Sequence, residues 1–262
     1  MVSRTLVVPL DGSPFAERAV PIAGAIAGRI GGRLLLLTAP YKGTLGPREY
    51  LAEIVERFPN LPIDTTETDE YLPTNAIAKV VEESNDRIVC MTSHGRGRLR
   101  WSMLGSTAEE VIRHSTRPML LVGRNCHDNF MTPDARMLTC FDGTESSERI
   151  APLALEWAGD LGLPMDAAVV VNPRDVESIE HPETLIDPMV EHFGGLDRVR
   201  PHLLTSSYVA GALADCAGDL PAALIAMSCY GRTGLARAAL GSVTMAVLNL
   251  STCPLLVTHI VP

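Results

Sequence analysis

The chain has 262 residues, is 46% hydrophobic, and carries 22 Lys and Arg against 31 Asp and Glu, a formal charge of −9. It holds too much apolar material for a disordered chain and has no Lys/Arg-rich block, so neither disorder nor general nucleic-acid binding is expected. Its longest near-apolar stretch, 19–28, falls far short of the ~20 residues of a bilayer span, and Asp11 interrupts any signal-peptide core; no membrane association is expected.

In chain order, short unalternating apolar runs at 6–10, 34–37, 88–91 and 118–122 have the character of strands buried on both faces. Ala16, Ala19, Val20, Ala23, Ile26, Ala27 and Ile30 mark a helical stripe, which Pro21 is expected to bend. A second helical pattern covers 76–83. Ser106 followed by Glu109 spells a capping box for a helix ending near His114. After the polar stretch 123–136, apolar runs return at 138–141, 167–171, 223–227 and 254–259. Strands alternating with helices predict a parallel sheet covered on both faces. The six cysteines are dispersed with no CxxC pair, and Cys90, Cys140 and Cys253 lie in or beside apolar runs. They read as buried hydrophobes in a reducing compartment, and the expected location is the cytoplasm.

An internal repeat decides the architecture. Asp11-Gly12-Ser13, Glu17-Arg18 and Pro21-Ile22-Ala23 recur 131 positions later as Asp142-Gly143-Thr144, Glu148-Arg149 and Pro152-Leu153-Ala154. Gly95-Arg96, Leu104-Gly105-Ser106 and Pro118-Met119-Leu120-Leu121-Val122 recur at an offset of 136 as Gly231-Arg232, Leu240-Gly241-Ser242 and Pro254-Leu255-Leu256-Val257. The changed offset places a net insertion within the second copy. Two tandem domains are predicted, 1–124 and 136–262. Both are expected to share one fold and to pack together, as two sheets rather than one sheet continuous through both copies. Proteolysis is expected between Asn125 and Asp134.

In open parallel sheets, ligands bind beyond the carboxyl ends of strands where the strand order reverses. Asp11 ends the first strand, and Thr92-Ser93-His94-Gly95 follows the fourth. If these strands are neighbours, their loops wall one crevice. Gly105-Ser106 then brings a glycine turn and a helix N-terminus to it, an arrangement suited to phosphate. Arg96, Arg98 and Arg100 would balance the charge.

At these residues the chain resembles the universal stress protein family over essentially its whole length. The family's nucleotide-binding pattern is Gly, two residues, Gly, nine residues, Gly, then Ser or Thr. Here Thr92 and Ser228 stand in place of the first glycine, followed by Gly95 with Gly105-Ser106 and by Gly231 with Gly241-Ser242. The family's aspartate after the first strand, which faces adenosine, matches Asp11 and Asp142. The resemblance implies two doubly wound five-stranded α/β sheets of order 3-2-1-4-5, packed as an internal pseudo-dimer through their fifth strands. It implies ATP as ligand, with Mg2+ as an open companion. Adenine would lie near Asp11, and phosphates near Gly95, Gly105 and Ser106. A further homodimer is left open.

The expected role is a stress-response sensor or regulator and not an enzyme, because the glycine loops hold no carboxylate to carry a metal or orient a nucleophile. The alternatives are a nucleotide-free interaction module with decayed sites and a slow ATP hydrolase. No P-loop or nucleophile elbow is present. Glu177, Glu180, His181, Glu183, Asp187, Glu191 and His192 cluster in the insertion without metal-site spacing, and read as an exposed acidic helix. The two sites are expected to differ: His94 faces Tyr230 in the alignment of the copies, Arg98 faces Gly234, and Thr107-Ala108 face Val243-Thr244. The second loop carries Arg232 and Arg237, and Thr244 is expected to add a hydroxyl.

Overall fold

The computed structural model describes residues 4–39, 46–95, 104–115, 117–229 and 240–258. The first half runs β1 (Thr5–Leu10), α1 (Pro14–Glu17), α2 (Ala19–Ile30), β2 (Arg33–Thr38), α3 (Pro47–Arg57), β3 (Ile63–Glu67), α4 (Pro73–Glu82), β4 (Arg87–Thr92), α5 (Ser106–His114) and β5 (Met119–Val122). The second runs β6 (Arg136–Phe141), α6 (Glu145–Glu148), α7 (Ala151–Leu161), β7 (Met165–Val171), α8 (Val176–Glu180), α9 (Glu183–His192), β8 (Arg200–Thr205), α10 (Val209–Asp219), β9 (Ala222–Ser228), α11 (Ser242–Leu250) and β10 (Leu255–Thr258).

Strand order is β3-β2-β1-β4-β5-β10-β9-β6-β7-β8. Each half keeps the order 3-2-1-4-5 with parallel pairing. At the seam the expectation of two separate sheets is corrected. β10 pairs antiparallel with β5, Leu255 opposite Leu121 and Val257 opposite Met119, so one ten-stranded sheet runs through both copies. The reason is the one that made the fifth strands expected partners: both are short and apolar, and an unpaired edge of that kind seeks a second strand. Leu120, Leu121, Leu255 and Leu256 are fully buried there.

Each apolar run coincides with a strand over its described length to within a residue, because strands covered on both faces need hydrophobic residues at every position. The edge strands β3 and β8 are partly exposed and polar at half or more of their positions, which is why no unbroken apolar run announces them. The predicted bend at Pro21 is instead a break. α1 stops at Glu17, the residue whose carbonyl would have accepted from position 21, and proline has no N–H to give. Pro152 and Glu148 repeat the arrangement, ending α6 before α7.

Contacts away from the seam also tie the halves. Arg4, 5% exposed, bonds Glu156 and Asp160 and lies 4.6 Å over the Trp157 ring. Arg29 Nε donates to the Leu161 carbonyl at 2.9 Å. The connection between halves is pinned rather than loose. Arg18 donates to the carbonyls of Arg124 (2.7 Å) and Cys126 (2.6 Å), and the His127 N–H donates to the Thr252 carbonyl (2.9 Å). All six cysteines are buried and free. No described helix is long and apolar enough to cross a membrane.

Candidate functional site: paired crevices at the carboxyl ends of the strands

In each half the chain steps one way from the first strand to the second and third, and the other way from the fourth to the fifth. The first and fourth strands are therefore neighbours at the point of reversal: β1 beside β4, and β6 beside β9. A crevice is expected beyond their carboxyl ends, and a cavity stands at each.

The first cavity, about 330 Å³, is lined by Asp11, Thr92, His94, Gly95, Gly105 and Ser106, with Leu37, Ile77 and Met91 among its apolar walls. Its volume is in the range of small-ligand pockets. The loop after β1 turns at Gly12, whose φ of 78° suits glycine. That turn lets the Ser13 N–H donate to Asp11 Oδ1 at 2.9 Å and lets Ser13 Oγ accept from the Ala16 N–H at 3.1 Å, capping α1. A Cβ on Gly95 would lie 2.6 Å from Asp11 Oδ2, so glycine there lets the carboxylate lie against the β4 loop.

Thr92 stands where the family pattern has glycine, and its hydroxyl donates to the His94 carbonyl at 2.6 Å, closing the loop on itself. His94 is buried, shares a 2.9 Å hydrogen bond with Ser93 Oγ, and meets the Phe15 ring edge to face at 5.9 Å. The capping box is corrected. Gly105 is the cap of α5 and Ser106 its first residue, exposed, with no side-chain cap bond. Among the described residues a Cβ on Gly105 would meet nothing closer than 3.4 Å, which leaves room for one. The first-turn N–H groups of α5 have no acceptor within the helix and carry its positive dipole end.

The second cavity, about 310 Å³, brings together Asp142, Ser228, Gly241, Ser242, Val243 and Thr244, with Phe141, Val170, Leu213 and Met227 in its walls. Gly143 turns the loop at φ 75°. Asp142 Oδ1 accepts from the Thr144 N–H (3.1 Å) and hydroxyl (2.5 Å). Thr244 is on the wall, but its hydroxyl donates to the Ser228 carbonyl at 3.3 Å and so braces α11 against β9.

Gly231, Tyr230, Gly234 and all five loop arginines (Arg96, Arg98, Arg100, Arg232 and Arg237) lie outside the described residues. The apolar walls escaped sequence analysis because Leu37, Met91, Phe141 and Met227 resemble any core residue. Their position at or near the ends of strands beside the Asp and Thr/Ser loops was the available signal. The acidic insertion forms two helices, α8 and α9, with its carboxylates exposed. Among the described residues no three His, Cys, Asp or Glu side chains converge as metal ligands would.

A sheet of two tandem parallel halves, with an Asp turn, a Gly-Ser step and a helix N-terminus at each crevice, defines a class of two-domain doubly wound α/β proteins. The chain matches the Universal stress protein family over residues 49–123 and 135–259, and it belongs to that family. It is similar to Universal stress protein Rv2005c of Mycobacterium tuberculosis, 27% identical over 205 residues that cover 72% of this chain and 68% of the relative. Universal stress protein MJ0577 of Methanocaldococcus jannaschii is 40% identical over 53 residues, 20% of this chain and 33% of that protein. Among solved structures, a universal stress protein from Archaeoglobus fulgidus matches with a TM-score of 0.72 at 19% identity, covering 99% of both chains. A functionally unknown protein, PA1789 from Pseudomonas aeruginosa, matches at 0.66 and 16% identity, covering 98% of this chain and 93% of that one. At those identities the structures speak for the fold.

Proposed function

We propose that each half binds an adenine nucleotide, ATP foremost, and that the protein is a cytoplasmic nucleotide-responsive regulator of the stress response rather than a dedicated catalyst. The observation that carries this reading is the recurrence of one arrangement at both crevices: a carboxylate after the first strand, an apolar wall, and a Gly-Ser helix start. A flat base suits the wall of Leu37, Ile77 and Met91. The carboxylates of Asp11 and Asp142 suit ribose hydroxyls, and the first-turn N–H groups of α5 and α11 suit phosphate. Room for a Cβ at Gly105 fits a glycine kept for a ligand's sake. Mg2+ would enter as the counter-ion of the triphosphate. Among the described lining residues of the first cavity the one carboxylate is Asp11, and its Oδ1 accepts from the Ser13 N–H, which favours binding over turnover.

Calorimetric titration tests the reading. The parent is expected to bind two ATP, Gly105→Trp and Gly241→Trp one each, and the double variant none. Parent-like binding by both single variants would refute the site, and no binding by the parent would favour a nucleotide-free interaction module. Turnover under excess ATP and Mg2+ would make it a hydrolase. With three loop arginines against two, the first site is expected to prefer ATP over AMP more strongly than the second, by about 1 kcal/mol.

A further inference from the structure

The acidic insertion gathers Glu177, Glu180, His181, Glu183, Asp187, Glu191 and His192, and nucleotide binding gives it no role. The structure brings it against the second cavity at three points. Phe193, fully buried just after α9, meets Phe141 of the cavity wall edge to face at 5.6 Å. Leu185 Cδ2 lies 3.7 Å from where a Cβ on Gly143 would stand, so α9 covers the turn beside Asp142. His192 Nε2 pairs with Glu148 Oε2 at 2.9 Å, at the end of the short helix that leaves this loop.

In the first half the corresponding carboxylate is Glu17, and α3 holds it differently. Tyr50 Oη donates to Glu17 Oε1 at 3.1 Å and Arg57 to Glu17 Oε2 at 2.6 Å. Arginine keeps its charge at every physiological pH, whereas histidine is the side chain whose charge changes there. The same joint is thus made with a permanent cation in one half and a titratable one in the other.

We propose that His192 is a positioning residue of the second cavity, fastening α9 to the Asp142 loop through Glu148 and so making affinity there depend on pH, where the first half uses Arg57 for the same joint. The proposal rests on the nucleotide reading of that cavity. Of the other charged groups on the surrounding elements, Glu145 pairs with Arg149 on α6, Asp166 with Arg136, Arg200 and His202 on β6 to β8, and His181 with Glu183 beside α8, while the Arg198 guanidinium lies against Gly194, two residues past His192. On α9 itself Glu191 adjoins His192, and Asp187 lies further back along the helix. Protonation turns the His192 contact into an ion pair, holding the loop ordered before ligand arrives, so affinity should rise as pH falls. Both partners are partly exposed, which limits the gain to about threefold.

The test uses full-length Gly105→Trp and Gly241→Trp, each with one surviving site, titrated with adenosine, which has no phosphate to titrate, between about pH 5.5 and about pH 8. The second site is expected to bind about threefold tighter at the lower pH, and the first site, whose lining includes His94, is titrated alongside for its own pH ratio. His192→Arg should bind tightly without pH dependence, and His192→Gln weakly without it. A second-site pH ratio that survives in His192→Arg overturns the proposal. Hydrogen exchange of residues 183–193 in the ligand-free parent, corrected for intrinsic rate, separates the two readings. Protection should rise at low pH in the parent and not in His192→Arg. If exchange responds while adenosine and ATP fail to bind, the fastening stands and the nucleotide reading falls. If exchange does not respond, the fastening falls whatever binds.

Discussion

Thr139 of β6 corresponds in the repeat to Val8 of β1; both are fully buried, and the threonine's hydroxyl has no hydrogen-bond partner among the described residues. An unsatisfied buried hydroxyl costs free energy that an isosteric methyl does not. Thr139→Val is expected to raise unfolding stability by roughly 1 kcal/mol in urea titration, and an unchanged or lower midpoint would contradict it. The thiols carry a pH consequence. Burial pushes Cys126 and Cys229 up to about 12 and Cys216 up to about 11, and Cys90, Cys140 and Cys253 higher still. The fold therefore holds the neutral thiol. That stability is fully present below the unfolded thiol's ordinary value near 8.5, and fades as pH climbs above it. Native protein at neutral pH should react slowly with a thiol-specific disulfide reagent, and the unfolded chain should titrate six thiols. Rapid native reaction would count against their burial. At this scale the sequence was most informative where backbone geometry demands a particular residue. The Asp-Gly-Ser and Asp-Gly-Thr turns need glycine at positive φ and a capping hydroxyl, so they show in the letters. The cavity walls do not, because a methionine facing a ligand is written like one facing the core.

Among elements, the central strands were legible and the edge strands were not. β8 shows why: its hold on β7 runs through a fully buried carboxylate, Asp166, which takes Arg136 and His202 (2.7 Å), with Arg200 at 3.8 Å. A polar network of this kind leaves no hydrophobic period. The first half has Leu35, Thr5 and Thr66 at the positions of Asp166, Arg136 and His202. Asp166→Ala is expected to cost about 3 kcal/mol by leaving its cations without their partner. Replacing all three residues by their first-half counterparts should recover most of that loss. A triple variant no more stable than Asp166→Ala would show that the network is more than a substitute for apolar packing. The proline breaks teach a related lesson. Pro21 was visible, but the consequence depended on which carbonyl lost its donor, a matter of helical register.

For the whole molecule, the repeat announced two copies but not their union in one sheet, since pairing across the seam is set by which edges remain open after each half has folded. The connection between the halves also departs from its polar composition. Cys126 and Phe130 are buried, while His127, Asp128, Asn129, Pro133 and Asp134 are exposed. Limited proteolysis is expected to cut at those exposed positions, and the two fragments should still co-elute on size exclusion because β5, β10 and the Arg4 contacts hold them. Separation of the fragments under native conditions would refute the seam. Each fifth strand has its partner within the chain, so assembly into a further homodimer would have to use another surface.

Antiparallel pairing at the seam also fixes how the molecule meets its surroundings. β5 and β10 run in opposite directions, so the carboxyl ends of their two halves, and the crevices there, are turned away from each other about a local twofold. A partner pressed against one mouth leaves the other open to solvent. The two mouths thus open on opposite edges of one sheet, joined through the four leucines of the seam, the Arg4 and Arg29 contacts and the connection that Arg18 pins.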